Sequence, residues 1–168
     1  ITASLKVPAL GGGIKSSFER TYRLPEPTEI LGSGLYILPN PELQPESSYN
    51  INLGAWLAKS HTYWKLNAEV NFFLRLAEDF ILPPRAEGPY GTFENLSNVH
   101  ASGAEASLAL SYRELLQLNF NTTLQHITDQ NPLDEGLTNV NYQSRIPNTP
   151  YYFWNSSLRL RPIQQPKW

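Results

Sequence analysis

Cysteine is absent from the 168 residues, so disulfides, thiolate chemistry and cysteine-ligated metal sites are all excluded. Charge is scarce as well: 17% of the residues are charged, and the formal net charge is −2. No basic run of the kind that follows a phosphate backbone occurs, so we expect no nucleic-acid partner. Long apolar runs are missing too, which excludes a transmembrane helix. The N-terminal ITASLKVPAL lacks the charged start and apolar core of a signal peptide.

Signatures of catalysis and of metal binding are also missing. There is no G-x-S-x-G nucleophile elbow and no glycine-rich turn that leads into a helix. The three histidines are far apart and form no zinc-binding pair. We therefore predict no enzymatic role, no cofactor and no metal site. The DQNPLDEG segment offers oxygen ligands to a hard cation without a complete calcium-loop signature, at Asp129, Asn131, Asp134 and Glu135.

A period of two is the strongest signal that is present. Between residues 63 and 77 every even position from Trp64 to Leu76 is apolar, and most odd positions are polar. Successive side chains of a strand point to opposite faces, so this pattern predicts a strand with one apolar face. At about 3.3 Å per residue and a tilt of about 45°, such a strand rises roughly 35 Å. That height exceeds a hydrocarbon core of about 30 Å and favours a membrane strand.

The same alternation recurs along the chain and predicts further strands at 14–22, 47–58, 103–112, 116–125 and 151–160. The connections alternate in length, which is typical of outer-membrane barrels. The short ones are 59–62 and 113–114, and the long ones are 23–46, 79–94 and 128–148. Aromatic residues near the strand ends suit interfacial girdles, at Tyr63, Trp64, Tyr151, Tyr152 and Trp154. A soluble antiparallel sandwich or lipocalin-like barrel stays open as an alternative, because such sheets also alternate.

Three prolines stand directly before one of these strands, in PNPELQPESSYNINLG. Pro39, Pro41 and Pro45 each fix φ and restrict the preceding residue to extended geometry. None can donate to a sheet ladder, so none belongs inside a strand. We therefore predict a structured loop that enters the next strand in a defined register.

Three segments of the chain resemble TonB-dependent outer-membrane receptors. In the first, a strand ends at a YR-x-P-type corner and a loop closes with N-P-x-L-x-P-E, carried by Tyr22, Arg23, Pro25, Glu29, Asn40, Pro41, Leu43, Pro45, Glu46 and Gly54. The second, FENLSNVHASGAEASLALSY, is similar to the family's strand that ends in a G-x-E element, here Gly103 and Glu105. The third, RIPNTPYYFWNSSLRL, resembles the proline-marked start of a later strand.

The resemblance implies an all-β fold of antiparallel transmembrane barrel strands. Six or seven strands would form part of a larger, 22-stranded plugged barrel, and residues 1–168 would be a partial barrel domain without the plug and the last strands. The receptor would lie in the bacterial outer membrane, contact its lipid, and import an iron chelate, a cobalamin or an oligosaccharide. Energy would come from the TonB complex of the inner membrane, through an N-terminal region outside this chain. A passive porin and a small soluble barrel with an apolar ligand are the alternatives.

Candidate site residues fall into two groups. The polar strand face carries residues that either hold the plug or keep the lumen wet, namely Glu69, Arg75, Glu105 and Arg159. By their position in the long loops, Arg23, Tyr36 and Tyr90 are expected to contact the nutrient. The Gly11–Gly13 run is consistent with a natural turn, an engineered junction or a missing segment.

Overall fold

The computed structural model describes residues 1–84, 89–113, 115–131, 133–134, 137–138, 142–146 and 149–161. Its elements in chain order are β1 (Thr2–Val7), a 3-10 turn (Pro8–Leu10), β2 (Gly12–Arg23), α1 (Pro27–Leu31), β3 (Ile37–Leu38), β4 (Glu46–Ser60), β5 (Trp64–Leu82), β6 (Gly91–Thr92), β7 (Glu94–Tyr112), β8 (Leu116–Asp129), β9 (Leu133–Asp134), β10 (Leu137–Thr138) and β11 (Tyr152–Leu160). No helix in these ranges has the length and hydropathy to cross a membrane.

Seven antiparallel strands form one sheet in the order β1-β2-β4-β5-β7-β8-β11. Each long strand therefore pairs with the long strands next to it in the chain, as in a simple meander. The two-residue strands form separate pairs, β9 with β10 and β3 with β6. The predicted set of six or seven antiparallel strands is confirmed.

Several strand boundaries predicted from the sequence are too short. β5 continues beyond residue 77 to Leu82, β7 begins at Glu94 instead of residue 103, and β8 continues to Asp129. β1 was not predicted at all. The expectation that a strand ends at the G-x-E element is wrong, because Gly103 and Glu105 lie in the middle of β7. Their partners on β5, Phe73 and Asn71, continue the ladder through this point, so the backbone stays extended.

Antiparallel pairing sorts the side chains of neighbouring strands onto two faces. One row on the apolar face joins Leu53, Phe72, Ala104 and Leu124 across four strands. Large hydrophobic side chains on this face are exposed, among them Leu5, Ile14, Phe18, Ile51, Leu53, Phe72, Leu74, Leu124, Trp154 and Leu158. Along β5 the face runs from Trp64 to Leu76, about 40 Å of strand, which at a tilt of about 45° matches an apolar band roughly 25 Å tall.

An arginine stacked on tyrosines lies at each end of this apolar face. At the short-turn end the Arg113 guanidinium lies 4.4 Å from the ring centroid of Tyr63. At the long-loop end the Arg20 guanidinium lies 5.0 Å from the ring centroids of both Tyr22 and Tyr49. Amphipathic rings and long cationic side chains favour the boundary between hydrocarbon and water. Tyr63 is one of the residues predicted for an aromatic girdle, whereas Tyr22 and Tyr49 were not among them, and the girdle itself stays a prediction.

Connections of different length leave the two ends of the sheet. The short turns lie at 8–11, 61–63 and 113–115, and the long loops at 24–45, 83–93 and 130–151. Gly11 ends the 3-10 turn with φ +66°, a left-handed conformation that glycine adopts without steric cost. Gly12 and Gly13 are already paired strand residues. The glycine run is therefore a turn followed by the start of β2.

The buried core lies at the long-loop end of the sheet. Ala77, Leu82, Val99 and Ile146 form one cluster, in which Val99 is only 2% exposed. Residues 142–146 are held beside the end of β8, where the amide of Ile146 donates to the carbonyl of Ile127 at 3.0 Å. The ends of β5 and β7 lose strict alternation here, because apolar side chains such as Ala77 and Val99, which the register places on the polar face, pack with Ile146 in this cluster.

Candidate functional site

All four residues predicted for the lumen lie on the polar face of the sheet. The Lys15 ammonium lies 2.5 Å from the Glu69 carboxylate across β2, β4 and β5. Glu105 is exposed and shares a row with Asn71, while Arg159 lies on β11 opposite Gln117. The structure therefore brings these charges onto one surface at different heights. Their contact with a plug stays a prediction.

Arg75, the fourth of these residues, forms an ion pair with Glu46. Glu46 is the first residue of β4 and is 2% exposed. Its second carboxylate oxygen accepts from the amide of Ile81 at 3.4 Å. A buried carboxylate is stable only when paired and hydrogen-bonded, and Glu46 meets both conditions. The final Glu of the N-P-x-L-x-P-E segment thus ties the start of β4 to β5.

A second ion pair holds the corner after β2. The turn α1 begins after Glu26 with Pro27, and the Glu29 side chain accepts from the Glu26 amide at 2.7 Å in a capping box. The Arg23 guanidinium lies 2.5 Å from the other Glu29 oxygen. Burial alone raises the pKa of Glu29, but the hydrogen bond from the Glu26 amide and the charge of Arg23 outweigh burial and lower this pKa below its ordinary value.

This ion pair bears on one of the expected ligand contacts. The Arg23 guanidinium donates a hydrogen bond to the Glu29 carboxylate, which gives Arg23 a structural role. Whether Arg23 also contacts a nutrient stays a prediction. We call Arg23, Glu29, Glu46 and Arg75 the ionic corner, because the two pairs lie at the base of the first long loop.

Close packing explains why glycine occupies position 103, the first residue of the G-x-E element. A Cβ built on Gly103 would lie 2.3 Å from the Leu124 carbonyl oxygen and 2.5 Å from the Phe73 ring. Phe73 is the cross-strand partner of Gly103 on the polar face, so its ring covers the glycine. Only a residue without a side chain fits this place.

The first two long loops run side by side. Residues Ile37 and Leu38 pair in parallel with Gly91 and Thr92, forming the β3–β6 ladder. Below it, the Asn40 side chain donates to the Phe93 carbonyl at 2.9 Å. The first loop is also folded on itself, since the Asn40 amide donates to the Ile30 carbonyl at 2.9 Å. The prediction of a structured loop is consistent with these contacts.

Two of the expected ligand contacts are brought together by this pairing. The Gly91 amide donates to the Tyr36 carbonyl at 2.9 Å, so Tyr36 and Tyr90 come from different loops to one place. Both side chains are exposed, at 68% and 55%. A cavity of about 270 Å³ lies beside Tyr90, lined by Leu38, Leu82, Pro83, Tyr90, Gly91, Thr92 and Glu94. The arrangement offers aromatic rings, hydroxyls and one carboxylate to a ligand.

No signal in the sequence indicates that the Asn95 side chain joins separate parts of the structure. Its Oδ1 accepts from the Gln44 amide at 2.7 Å, and its Nδ2 donates to the carbonyls of Gln44 at 3.0 Å and Asp79 at 2.7 Å. One side chain therefore joins the base of the first loop to β5 and β7. The local sequence around Asn95 carries no signal for this role, because both partners lie elsewhere in the chain.

Part of the oxygen-rich segment lies outside the described residues, namely Glu135. Asp129 accepts from the Asn131 amide at 2.8 Å through its side chain, and its own amide donates to the Ser144 carbonyl. Across the ranges that the structure describes, no group of three or more His, Cys, Asp or Glu could hold a metal ion.

Comparisons with known proteins agree with this geometry. The family model described as TonB dependent receptor-like, beta-barrel, matches residues 12–168. Among solved structures, one described as Copper transporter OprC superposes with a TM-score of 0.61 at 13% identity, covering 77% of this chain and 20% of that chain. At that identity the likeness shows the fold alone. A search of curated proteins found no match.

The chain spans about a fifth of the length of that solved transporter, as expected for part of a larger barrel. The match to the family covers nearly all of the sheet, from β2 to β11. Its members are non-enzymatic transport proteins of the outer membrane. The chain belongs to the TonB-dependent receptor β-barrel family, and it is an outer-membrane protein.

Proposed function

We propose that this chain is part of the barrel of a receptor that binds a scarce nutrient and imports it with energy from the TonB complex. The observation that carries the proposal is the family match over residues 12–168 on a sheet with one apolar and one polar face. The apolar face would contact outer-membrane lipid, and the polar face would line the lumen. The long loops would then form the extracellular mouth.

The open edges of the sheet support a longer barrel. Among the described residues, β1 and β11 each pair with a single strand. Unpaired backbone groups are not stable in the hydrocarbon region, where a spanning sheet must close on itself. We therefore propose that residues 1–168 form part of one barrel domain. Further strands and a plug that contacts Glu69, Glu105 and Arg159 would come from the same longer protein.

An iron chelate, a cobalamin and an oligosaccharide are the candidate nutrients. All three are too large for ordinary porins, and all three present flat or hydroxyl-bearing surfaces that Tyr36 and Tyr90 could contact. We add copper as a fourth test compound, because the solved structure with the similar fold is described as a copper transporter.

Uptake in cells tests the proposal. The gene for the full-length protein is deleted, and uptake of each radiolabelled candidate is compared in the deletion strain, the complemented strain and the complemented strain treated with a proton uncoupler. We expect one candidate to need both the protein and the proton-motive force. If uptake needs the protein but continues in the presence of the uncoupler, the protein is a passive porin and the proposed function is wrong.

A further inference from the structure

We propose that Asn40 and Asn95 are positioning residues that join the first two long loops into one body. We call their contacts, together with the β3–β6 pair, the loop clamp. Residues 36–44 and 91–95 run side by side in the same direction, and the contacts between them recur along this length. The clamp is a property of the loops themselves; only its consequence for ligand binding rests on the proposed function.

The upper part of the clamp consists of backbone contacts. Gly91 donates to the Tyr36 carbonyl at 2.9 Å, and the parallel pair joins Ile37 to Gly91 and Leu38 to Thr92. The Thr92 hydroxyl donates to the Leu38 carbonyl at 3.3 Å. A parallel pair of two residues is too short to be stable alone. Its persistence therefore requires other contacts that hold the segments in register.

The two asparagines supply those contacts. The Asn40 side chain donates to the Phe93 carbonyl and accepts from the Glu42 amide at 3.1 Å, so it fixes its own loop and the neighbouring one together. Asn95 makes three hydrogen bonds of 2.7–3.0 Å, two of them to Gln44 and one to Asp79. Asp79 has φ +54°, an unusual conformation inside a strand that turns its carbonyl toward Asn95.

A fixed spacing between Tyr36 and Tyr90 follows from this arrangement. Each tyrosine belongs to a different loop, and independent movement of the loops would vary the distance between the rings. With the clamp closed, the backbone segments that carry the two tyrosines keep one relative position before a ligand arrives. Pre-organisation of this kind reduces the entropy lost on binding.

Proteolysis of the full-length receptor in outer-membrane vesicles tests the clamp. Chymotrypsin cuts after large hydrophobic and aromatic residues, and the first loop exposes Leu31, Leu35 and Tyr36. Loss of the three side-chain hydrogen bonds of Asn95 should make the loop open more often, so we expect N95A to be cut about tenfold faster than wild type. N98A is the matched control, since Asn98 lies three residues further along the same strand and is exposed.

An engineered disulfide between the two loops tests whether N95A loses its resistance to chymotrypsin because the loops separate. Leu38 and Thr92 are paired, and these 168 residues contain no cysteine. In N95A, the added pair L38C and T92C should restore slow cleavage when oxidised and lose it when reduced. N40A removes the hydrogen bond to the Phe93 carbonyl and should also be cut faster than wild type. If N95A does not give the heat-modifiable band of a folded barrel, N40A takes its place in the experiment.

Equal cleavage of N95A and N98A would overturn the proposal, and so would fast cleavage that the oxidised disulfide leaves unchanged. Neither result depends on a ligand. A receptor that takes up no candidate nutrient but shows the expected cleavage pattern would refute the proposed function and leave the clamp intact.

Discussion

The middle of the sheet and its long-loop end are stabilised in different ways. In the middle, backbone ladders between long strands satisfy the polar groups, and the side chains sort into an apolar and a polar face. At the long-loop end, side chains make the decisive contacts: Asn95 holds three backbone groups, and Glu46 is buried against Arg75. The buried cluster around Val99 lies at this end as well.

This difference teaches which property of a residue matters in each region. In the middle, a substitution should be tolerated or rejected according to the face it occupies, because the surroundings of each face are uniform. At the long-loop end, a substitution should be judged by the individual hydrogen bonds or ion pairs that it removes. Four predictions test this contrast, in order of decreasing effect.

The largest effect should come from a charge on the apolar face. Val70 lies halfway between Trp64 and Leu76, and its partners Ala55 and Ala106 leave steric room. In the full-length receptor folded into phosphatidylcholine vesicles, V70R should lower the free energy of unfolding by about 2–4 kcal/mol, because arginine at the bilayer midplane is poorly solvated. Denaturant titration measures this change.

N71R is the matched control for V70R, since Asn71 is the next residue and points to the other face beside Glu105. It should cost less than about 1 kcal/mol. Equal losses for the two variants would show that the faces are assigned wrongly.

The second prediction concerns the buried carboxylate of the ionic corner. E46Q removes the charge that pairs with Arg75 but keeps the size of the side chain, and the free energy of unfolding should fall by about 2 kcal/mol, in the range for hydrogen bonds to charged groups. E42Q, at an exposed position in the loop before β4, should change the free energy of unfolding by less than about 0.5 kcal/mol. An unchanged free energy of unfolding in E46Q would mean that the charge pair of Glu46 with Arg75 does not stabilise the corner.

Two glycines on the polar face give the third prediction. G103A forces a Cβ to within 2.3 Å of the Leu124 carbonyl, whereas the nearest atoms to a Cβ at Gly54 are side-chain atoms of Asn71 and Lys15, at 3.0 Å. Backbone cannot move aside as a side chain can, so G103A should destabilise the folded barrel by about 1–2 kcal/mol and G54A by less. Thermal unfolding followed by heat-modifiable mobility ranks the two variants, and the reverse order would contradict the packing described for Phe73.

The smallest effect should come from protonation of Glu29. Its pKa is lower in the folded protein than in the unfolded chain, so its contribution to stability is complete above the ordinary carboxyl pKa and is lost as pH falls through the folded value. Hydrogen exchange of the peptide 24–45, corrected for the intrinsic rate at each pH, should show the corner opening more often in acid. E29Q should remove that dependence on pH, and an unchanged dependence in E29Q would assign the titration to another group.

Prediction from sequence succeeded where one rule governs many residues in a row. The strand from Trp64 to Leu76 was identified because period two is repeated over a long segment, with one apolar and one largely polar face. β1 escaped prediction because its six residues give too short a pattern. The ends of β5 and β8 were placed too early and the start of β7 too late, because side chains there join the buried cluster with Ile146 and no longer alternate strictly.

Prediction of the site depended on resemblance more than on physics. The signature residues Glu29, Asn40 and Glu46 were identified from the family pattern, and the structure gives each of them a specific partner. Asn95 could not be found in this way, because the residues next to it in the sequence do not predict its contacts with Gln44 and Asp79.

The sequence by itself determined the class of fold, the two faces of the sheet and the alternation of short turns with long loops, because these properties depend on the local order of residue types. Only the tertiary structure decided that Tyr36 and Tyr90 lie on adjoining loop segments, that Asn95 joins the loops, and that Glu46 is buried against Arg75. These contacts join residues that are far apart in the sequence: Glu46 and Arg75 are separated by 29 positions, Gln44 and Asn95 by 51, and Tyr36 and Tyr90 by 54. Their formation depends on strand register, which arises from the pairing of the whole sheet and not from any one segment.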